Sequence, residues 1–158
     1  MNLQNSRIAV TVACVSLITG ASVFSQMAGA QAQTAFSPTI PKGCTALEEI
    51  STGQTVIRKE ARLGNENVDF SVPAGRVFKS YRALMRPENN ANYAATVNLK
   101  YNDGTSSKAF SRNISMVRLK IYKLRFRTPT ANQPFQINLN VGTARNNAYS
   151  VAVLGCKK

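Results

Sequence analysis

The chain has 158 residues, of which 20 are Lys or Arg, 7 are Asp or Glu and none is His, so its formal net charge is +13 at pH 7. Without histidine, the sequence excludes a Ser-His-Asp triad and every imidazole metal site. The excess of positive charge favours a polyanionic partner.

The first 32 residues have the pattern of a secretory signal peptide. Arg7 supplies a short positive region, an apolar run follows from Ile8 to Phe24, and small-x-small sites end at Ala30 and Ala32. The run is too short, and too diluted by hydroxyl groups and glycine, for a membrane anchor. We therefore predict cleavage after Ala30 or Ala32, export to the periplasm, the cell surface or the medium, and no transmembrane segment after cleavage.

Two cysteines, Cys44 and Cys156, remain in the predicted mature chain, because Cys14 lies in the leader. An even number of thiols in an exported protein indicates a disulfide, and this one would close a loop of about 110 residues. Two isolated thiols cannot complete a tetrahedral metal site without histidine. We predict a disulfide between the two ends of the fold, no metal and no cofactor.

Residues 33–43 contain prolines and no hydrophobic period, which predicts a flexible lead-in to a single β domain at 44–158. The acid-rich stretch around Leu47 and Ile50 is the one place where a helical turn or two is expected. Beyond it, apolar residues recur at every second position, most regularly in 93–101 and 135–141.

Further strand candidates lie at 54–61, 67–73, 76–84 and 148–155, and Asn102-Asp103-Gly104 predicts a hairpin turn. Seven or eight short strands indicate an all-β fold, an antiparallel sandwich or jelly roll. A small closed barrel is the alternative.

A segment without acids, from Ser115 to Pro129, contains five of the cations. Its apolar positions change parity between Ile121 and Leu124, which predicts one long strand with a β-bulge. Such a strand would direct all five cations away from the core. We predict that they form a polyanion-binding surface together with three further cations; the eight are Arg118, Lys120, Lys123, Arg125, Arg127, Lys108, Arg112 and Arg145. Alternatively, the charges only solvate an exposed or edge strand.

Other polar segments have simpler explanations. Asn146, Asn147 and Tyr149 carry the amide and aromatic groups that bind sugar hydroxyls, and they form a possible glycan loop, although asparagine also favours tight turns. The carboxylates show no pairing typical of a glycosidase. Asn113 begins an N-glycosylation sequon, whose use depends on the export route.

The sequence predicts a non-catalytic, exported binding module whose basic face docks on an anionic glycan or envelope surface. The alternative is a structural or assembly protein of the cell surface that engages another chain through its sheet edges. Nucleic acid is a disfavoured partner, because aromatic side chains do not interleave with the cations. An enzyme ranks last, and the oligomeric state stays open.

Overall fold

The computed structural model describes residues 35–62, 65–129 and 132–157, and its strands form two antiparallel sheets. The predicted leader lies outside the described residues. The strands are β1 (Cys44–Ala46), β2 (Ile57–Glu60), β3 (Asn65–Ser71), β4 (Ser80–Pro87), β5 (Ala91–Lys100), β6 (Ser106–Met116), β7 (Tyr122–Phe126), β8 (Gln136–Gly142) and β9 (Ala148–Cys156). Sheet A has the strand order β1–β9–β4–β7, with β2 also paired to β9, and sheet B has the order β3–β8–β5–β6.

One hydrophobic core lies between the sheets. The predicted alternation buries Val97 and Leu99 of β5 and Leu139 of β8 on the inner face of sheet B, while Tyr81 and Val153 belong to the same core from sheet A. Each sheet keeps two edges, so within the described residues the fold is an open sandwich and not the closed barrel. The all-β prediction is confirmed. The hairpin at Asn102-Asp103-Gly104 joins β5 to β6, and Gly104 takes the positive φ of 80° that this turn requires.

The predicted disulfide is present, and it joins β1 to β9. Cys44 and Cys156 are direct partners in the register of these strands, with a sequence separation of 112. On the outer face of sheet A, Phe36 is buried in a small cluster with Leu84 and Leu154. The segment predicted as a lead-in therefore covers part of this face.

No helix forms around Leu47, where that prediction was wrong, although a single turn closes at Ile50, with the Gly53 amide donating to the Glu49 carbonyl at 2.8 Å. The Leu47 amide donates to the carbonyl of Val153 on β9 at 2.8 Å, and Glu49 forms a β-bridge with Phe70. Pairing with distant strands satisfies the backbone here. Local helix propensity is weak by comparison.

The basic segment is two strands in two sheets, so the prediction of a single bulged strand was also wrong. β6 ends in sheet B and β7 begins in sheet A, and residues 117–121 cross between them. The apolar residues of the crossing, Val117, Leu119 and Ile121, are exposed, and this explains why their parity differs from that of the buried Leu124 and Phe126. The register irregularity in this region lies elsewhere, opposite Val97 and Asn98, where Ala109 of β6 has no partner on β5.

Candidate anion-binding site

The edge strand β7 separates apolar from positive side chains by simple alternation. Leu124 and Phe126 are buried, whereas Lys123 and Arg125 are exposed on the outer face of sheet A, and Arg127 is exposed just beyond the strand. Alternate side chains on a strand lie about 7 Å apart along its axis. These three cations therefore form a regular row on one edge of the sandwich.

A fourth cation joins the row from the neighbouring strand. Arg82 of β4 is the direct partner of Arg125 in the β4–β7 register. Directly opposed side chains on one face have Cβ atoms about 5 Å apart, where like charges destabilise a sheet. Among the described residues, neither arginine forms a salt bridge with an acid. We call Arg82, Lys123, Arg125 and Arg127 the basic edge.

A shallow cavity of about 470 Å³ lies within the basic edge. Beneath it, the rings of Tyr81 and Phe126 stack with centroids 5.6 Å apart, which fixes the relative position of β4 and β7. Guanidinium groups held in this way suit bidentate hydrogen bonding to carboxylate, sulfate or phosphate. The residues lining the cavity are Ser80, Tyr81, Arg82, Arg125, Phe126 and Arg127.

In sheet A, the acids Glu60 and Glu88 interact with Arg58. Glu88 accepts two hydrogen bonds from Arg58 of β2, at 2.9 and 2.7 Å. The hydrogen bonds that Arg58 donates to Glu88 raise the pKa of its guanidinium, and the charge of Glu60 adds to the effect. The acids thus neutralise Arg58, whereas no described acid forms a salt bridge with the cations of the basic edge. A positive potential therefore extends from the basic edge over about a Debye length, roughly 8–10 Å.

Two more of the predicted cations lie in the turn between β6 and β7. The Arg118 Nε donates to the carbonyl of Glu88 at 3.2 Å, and the Lys120 Nζ lies 5.7 Å from the centroid of the Tyr122 ring. Both residues are exposed. They are close in sequence to Lys123 of the basic edge, but they lie in the turn that precedes β7 and not on the strand itself.

The remaining three predicted cations lie on other surfaces. Arg112, paired with Ala95, lines a groove of about 860 Å³ between β6 and β7. Lys108 pairs with Asn98 on the outer face of sheet B, and Arg145 lies in the loop before β9. The structure brings Lys123, Arg125 and Arg127 together, with Arg112 across the groove, and does not place all eight on one face.

The possible glycan loop is mainly a structural turn. Tyr149 is 0% exposed and packs edge-to-face on Tyr93, so its predicted place on a surface loop was wrong. Asn146 adopts a positive φ of 67°, which asparagine tolerates better than most residues. The Asn147 side chain donates to Thr143 Oγ1 at 3.0 Å.

Sheet B carries a row of amides on its outer face that sequence reasoning did not single out. Asn138 donates to Asp69 at 3.0 Å, and Asn140 donates to Asn67 at 2.9 Å. The alternation of apolar and polar residues predicted that Asn138 and Asn140 face solvent. Their hydrogen-bond partners on β3 could not be predicted, because they depend on the pairing of β3 with β8. Asn113 of the sequon is exposed on β6 of the same sheet.

Metal-binding clusters and membrane-spanning helices are both missing from the described part of the chain. Within residues 35–62, 65–129 and 132–157, no cluster of three or more Cys, Asp or Glu side chains could hold a metal ion. Over the same ranges, no helix is long and apolar enough to cross a membrane.

Comparison with known proteins gives matches among solved structures only. No protein-family model matches the sequence, and no curated protein matches it. A family 29 carbohydrate-binding module is similar with a TM-score of 0.47 and 11% identity, over 73% of this chain and 74% of that one. A variant of the module CBM29-2 complexed with mannohexaose has a TM-score of 0.47 and 10% identity, over 77% and 86%. A truncated protein with CBM32 and alginate lyase domains has a TM-score of 0.47 and 15% identity, over 73% and 32%. At this low similarity, only the residues of this chain can support a function.

Proposed function

We propose that the protein is a non-catalytic, exported binding module that holds an anionic polysaccharide on its basic edge. The observation that carries this proposal is the direct cross-strand pairing of Arg82 with Arg125 on the outer face of sheet A. A sheet gains nothing from two opposed guanidinium groups without a counter-charge. An anionic group between them converts the repulsion into two charge-assisted contacts.

The row of cations favours an extended ligand over a single small anion. Lys123 and Arg125 are spaced about 7 Å apart along β7, and Arg127 follows just beyond the strand, so a chain with repeated charges can contact several of them at once. Arginine also forms bidentate contacts with planar carboxylates and with sulfate groups. We therefore expect uronic acid-containing or sulfated polysaccharides to bind more tightly than neutral ones.

The position of the cations also bears on two alternatives, which are assembly through the sheet edge and simple solvation of that edge. Cations on an edge strand oppose the addition of another strand, which disfavours assembly through β7. Protection of the edge from aggregation explains the charges on β7 itself, but it does not explain Arg82, which lies on the inner neighbour β4. Arg82 is therefore the residue that separates a binding site from a solvated edge.

The test is retention on a sulfated polysaccharide column and titration with soluble alginate. The variant replaces Arg82, Lys123, Arg125 and Arg127 with Gln. We expect it to elute at much lower salt. The slope of log affinity against log salt should fall by on the order of three to four, about one for each cation removed.

A matched variant removes the same charge from other exposed positions: Lys42, Arg62, Arg76 and Arg145. If binding depends on where the cations lie and not only on net charge, this control variant should keep most of its affinity for the polysaccharide. Equal losses in both variants would show a nonspecific effect of net charge and overturn the proposal, as would unchanged retention of the basic-edge variant.

A further inference from the structure

The turn between β6 and β7 exposes three large aliphatic side chains at one end of the sandwich. Val117, Leu119 and Ile121 are 57%, 47% and 46% exposed. The sequence pattern assigned all three to the core. Their exposure is therefore a departure from the rule that an alternating apolar row faces inward.

The turn is held firmly despite its exposed side chains. The Leu119 amide donates to the Pro87 carbonyl at 2.7 Å, and the Val117 amide donates to the Tyr122 hydroxyl at 2.8 Å. The Arg118 amide donates to Asn90 Oδ1 at 2.7 Å. These hydrogen bonds hold the backbone against the body of the domain, so the aliphatic groups are presented in a fixed arrangement.

Leu119 has a φ of 62°, in the left-handed region that leucine seldom occupies. An asparagine or glycine would relieve this strain and would also remove an exposed apolar side chain. The chain carries leucine there instead. Strained positions of this kind are found preferentially at functional sites.

Positive charges alternate with the aliphatic groups. Arg118 and Lys120 lie between them, Lys123 follows, and the sequence has no acidic residue after Asp103. The carboxylate of Glu88, which follows β4 at this end, is paired with Arg58. An alternation of aliphatic and cationic side chains, without acids, fits a surface that is apolar inside and negatively charged outside.

We propose that the turn Val117–Ile121 inserts its aliphatic side chains into the interface of an anionic lipid bilayer, while Arg118 and Lys120 contact the headgroups. Interfacial binding draws on this combination of buried apolar area and attraction to anionic lipid. A bilayer is favoured over a protein groove because the charge pattern matches its surface and the apolar patch is small. The inference is independent of the polysaccharide site, which lies along β7 and not on the turn.

The first experiment is sedimentation with vesicles of phosphatidylcholine, with and without phosphatidylglycerol. The wild-type protein should bind the mixed vesicles and bind phosphatidylcholine alone much more weakly. The variant Val117→Ser, Leu119→Asn, Ile121→Ser should lose about tenfold or more in partitioning. Lys120→Gln should lose roughly fivefold on the mixed vesicles only.

A matched control removes three exposed aliphatic groups from other parts of the domain, through Ile40→Ser, Ile50→Ser and Val77→Ser. These residues are 48%, 53% and 68% exposed, as much as those of the turn. The control should bind the mixed vesicles as the wild type does. Equal losses in the two triple variants would overturn the proposal.

A second readout uses the absence of tryptophan from the chain. The Ile121→Trp variant should show a blue-shifted emission with the mixed vesicles and quenching by acyl-chain quenchers, whereas the Val77→Trp variant should show neither. No shift at position 121 in protein that has kept its fold would overturn the proposal. Self-association that the turn variant abolishes, without any vesicle binding, would assign the turn to a second copy of the chain and would also overturn it.

Loss of vesicle binding is distinguishable from failure of the polysaccharide proposal. The basic-edge variant keeps Arg118 and Lys120 and all three aliphatic groups, so it should retain most of its partitioning. The turn variant keeps the basic edge and should retain its affinity for alginate.

Discussion

Replacing Arg125 with Glu should stabilise the fold and weaken polyanion binding at the same time. In the structure Arg125 faces Arg82 across β4 and β7. The variant converts a repulsive cross-strand pair into an attractive one. A residue retained for the stability of the sheet would behave in the opposite way, so the two measurements together test why arginine is present.

The size of the effect follows from the geometry of the pair. Two unit charges about 7 Å apart in water repel by about 0.6 kcal/mol, and reversing one sign changes the interaction by about twice that. Screening at ordinary salt reduces the gain to about 0.5–1 kcal/mol, within the range measured for exposed cross-strand pairs. For a domain of this size we expect an increase in Tm of about 2–4 °C.

The assay is thermal unfolding of the wild type, Arg125→Glu, Arg82→Gln and the double variant at low and high salt. The gain should shrink at high salt and should disappear when Arg82 is also changed, because the cycle isolates the pair. Alginate affinity should fall in all three variants. A lower Tm for Arg125→Glu at low salt, or an unchanged affinity for alginate, would refute the reasoning.

Three further predictions concern the core and the disulfide. Tyr149→Phe should raise the free energy of unfolding by about 1 kcal/mol, because no described residue hydrogen-bonds to its buried hydroxyl. Tyr81→Phe should lower it by about 1 kcal/mol, because this hydroxyl donates to Gln133 Oε1 at 2.8 Å. Urea titrations of the two variants should therefore give changes in the free energy of unfolding of opposite sign. Burial raises the pKa of both phenols above the ordinary value of 10.0. Above that pH the phenols ionise in the unfolded chain before they ionise in the folded one, which lowers the free energy of unfolding, whereas below it they have no such effect. Urea midpoints should therefore fall through alkaline pH, and less steeply in the two Phe variants. Replacing Cys44 and Cys156 with Ser opens a loop of 112 residues and should cost about 4–5 kcal/mol, as measured against the oxidised protein.

The sequence was sufficient where a strand is half-buried. In β5 and β8 one face is buried and the other faces solvent, so Val97, Leu99 and Leu139 could be assigned to the core by alternation alone. The disulfide followed from the count of cysteines in a chain predicted to be exported. The helical turn near Leu47 failed because a hydrogen bond to Val153 of β9, far away in the chain, decides the conformation there.

The basic segment shows where pattern reasoning stops. A bulge within a strand and an exposed crossing between sheets both give apolar residues whose parity changes along the sequence, so the residues from Val117 to Ile121 fit either structure. The two alternatives differ in whether those three aliphatic side chains are buried. Arg82 could not have been found either, because its opposition to Arg125 arises from the register of two strands that are distant in the chain.

The place of β9 in sheet A has a consequence for how the chain acquires its structure. This strand pairs with β1, β2 and β4, yet it follows all of them along the chain. During synthesis, those three strands remain without their common partner until it emerges, and pairings this far apart in sequence form slowly. Sheet A therefore cannot be completed until residues 148–156 emerge. Before that point its unpaired strands are the part of the chain most exposed to aggregation.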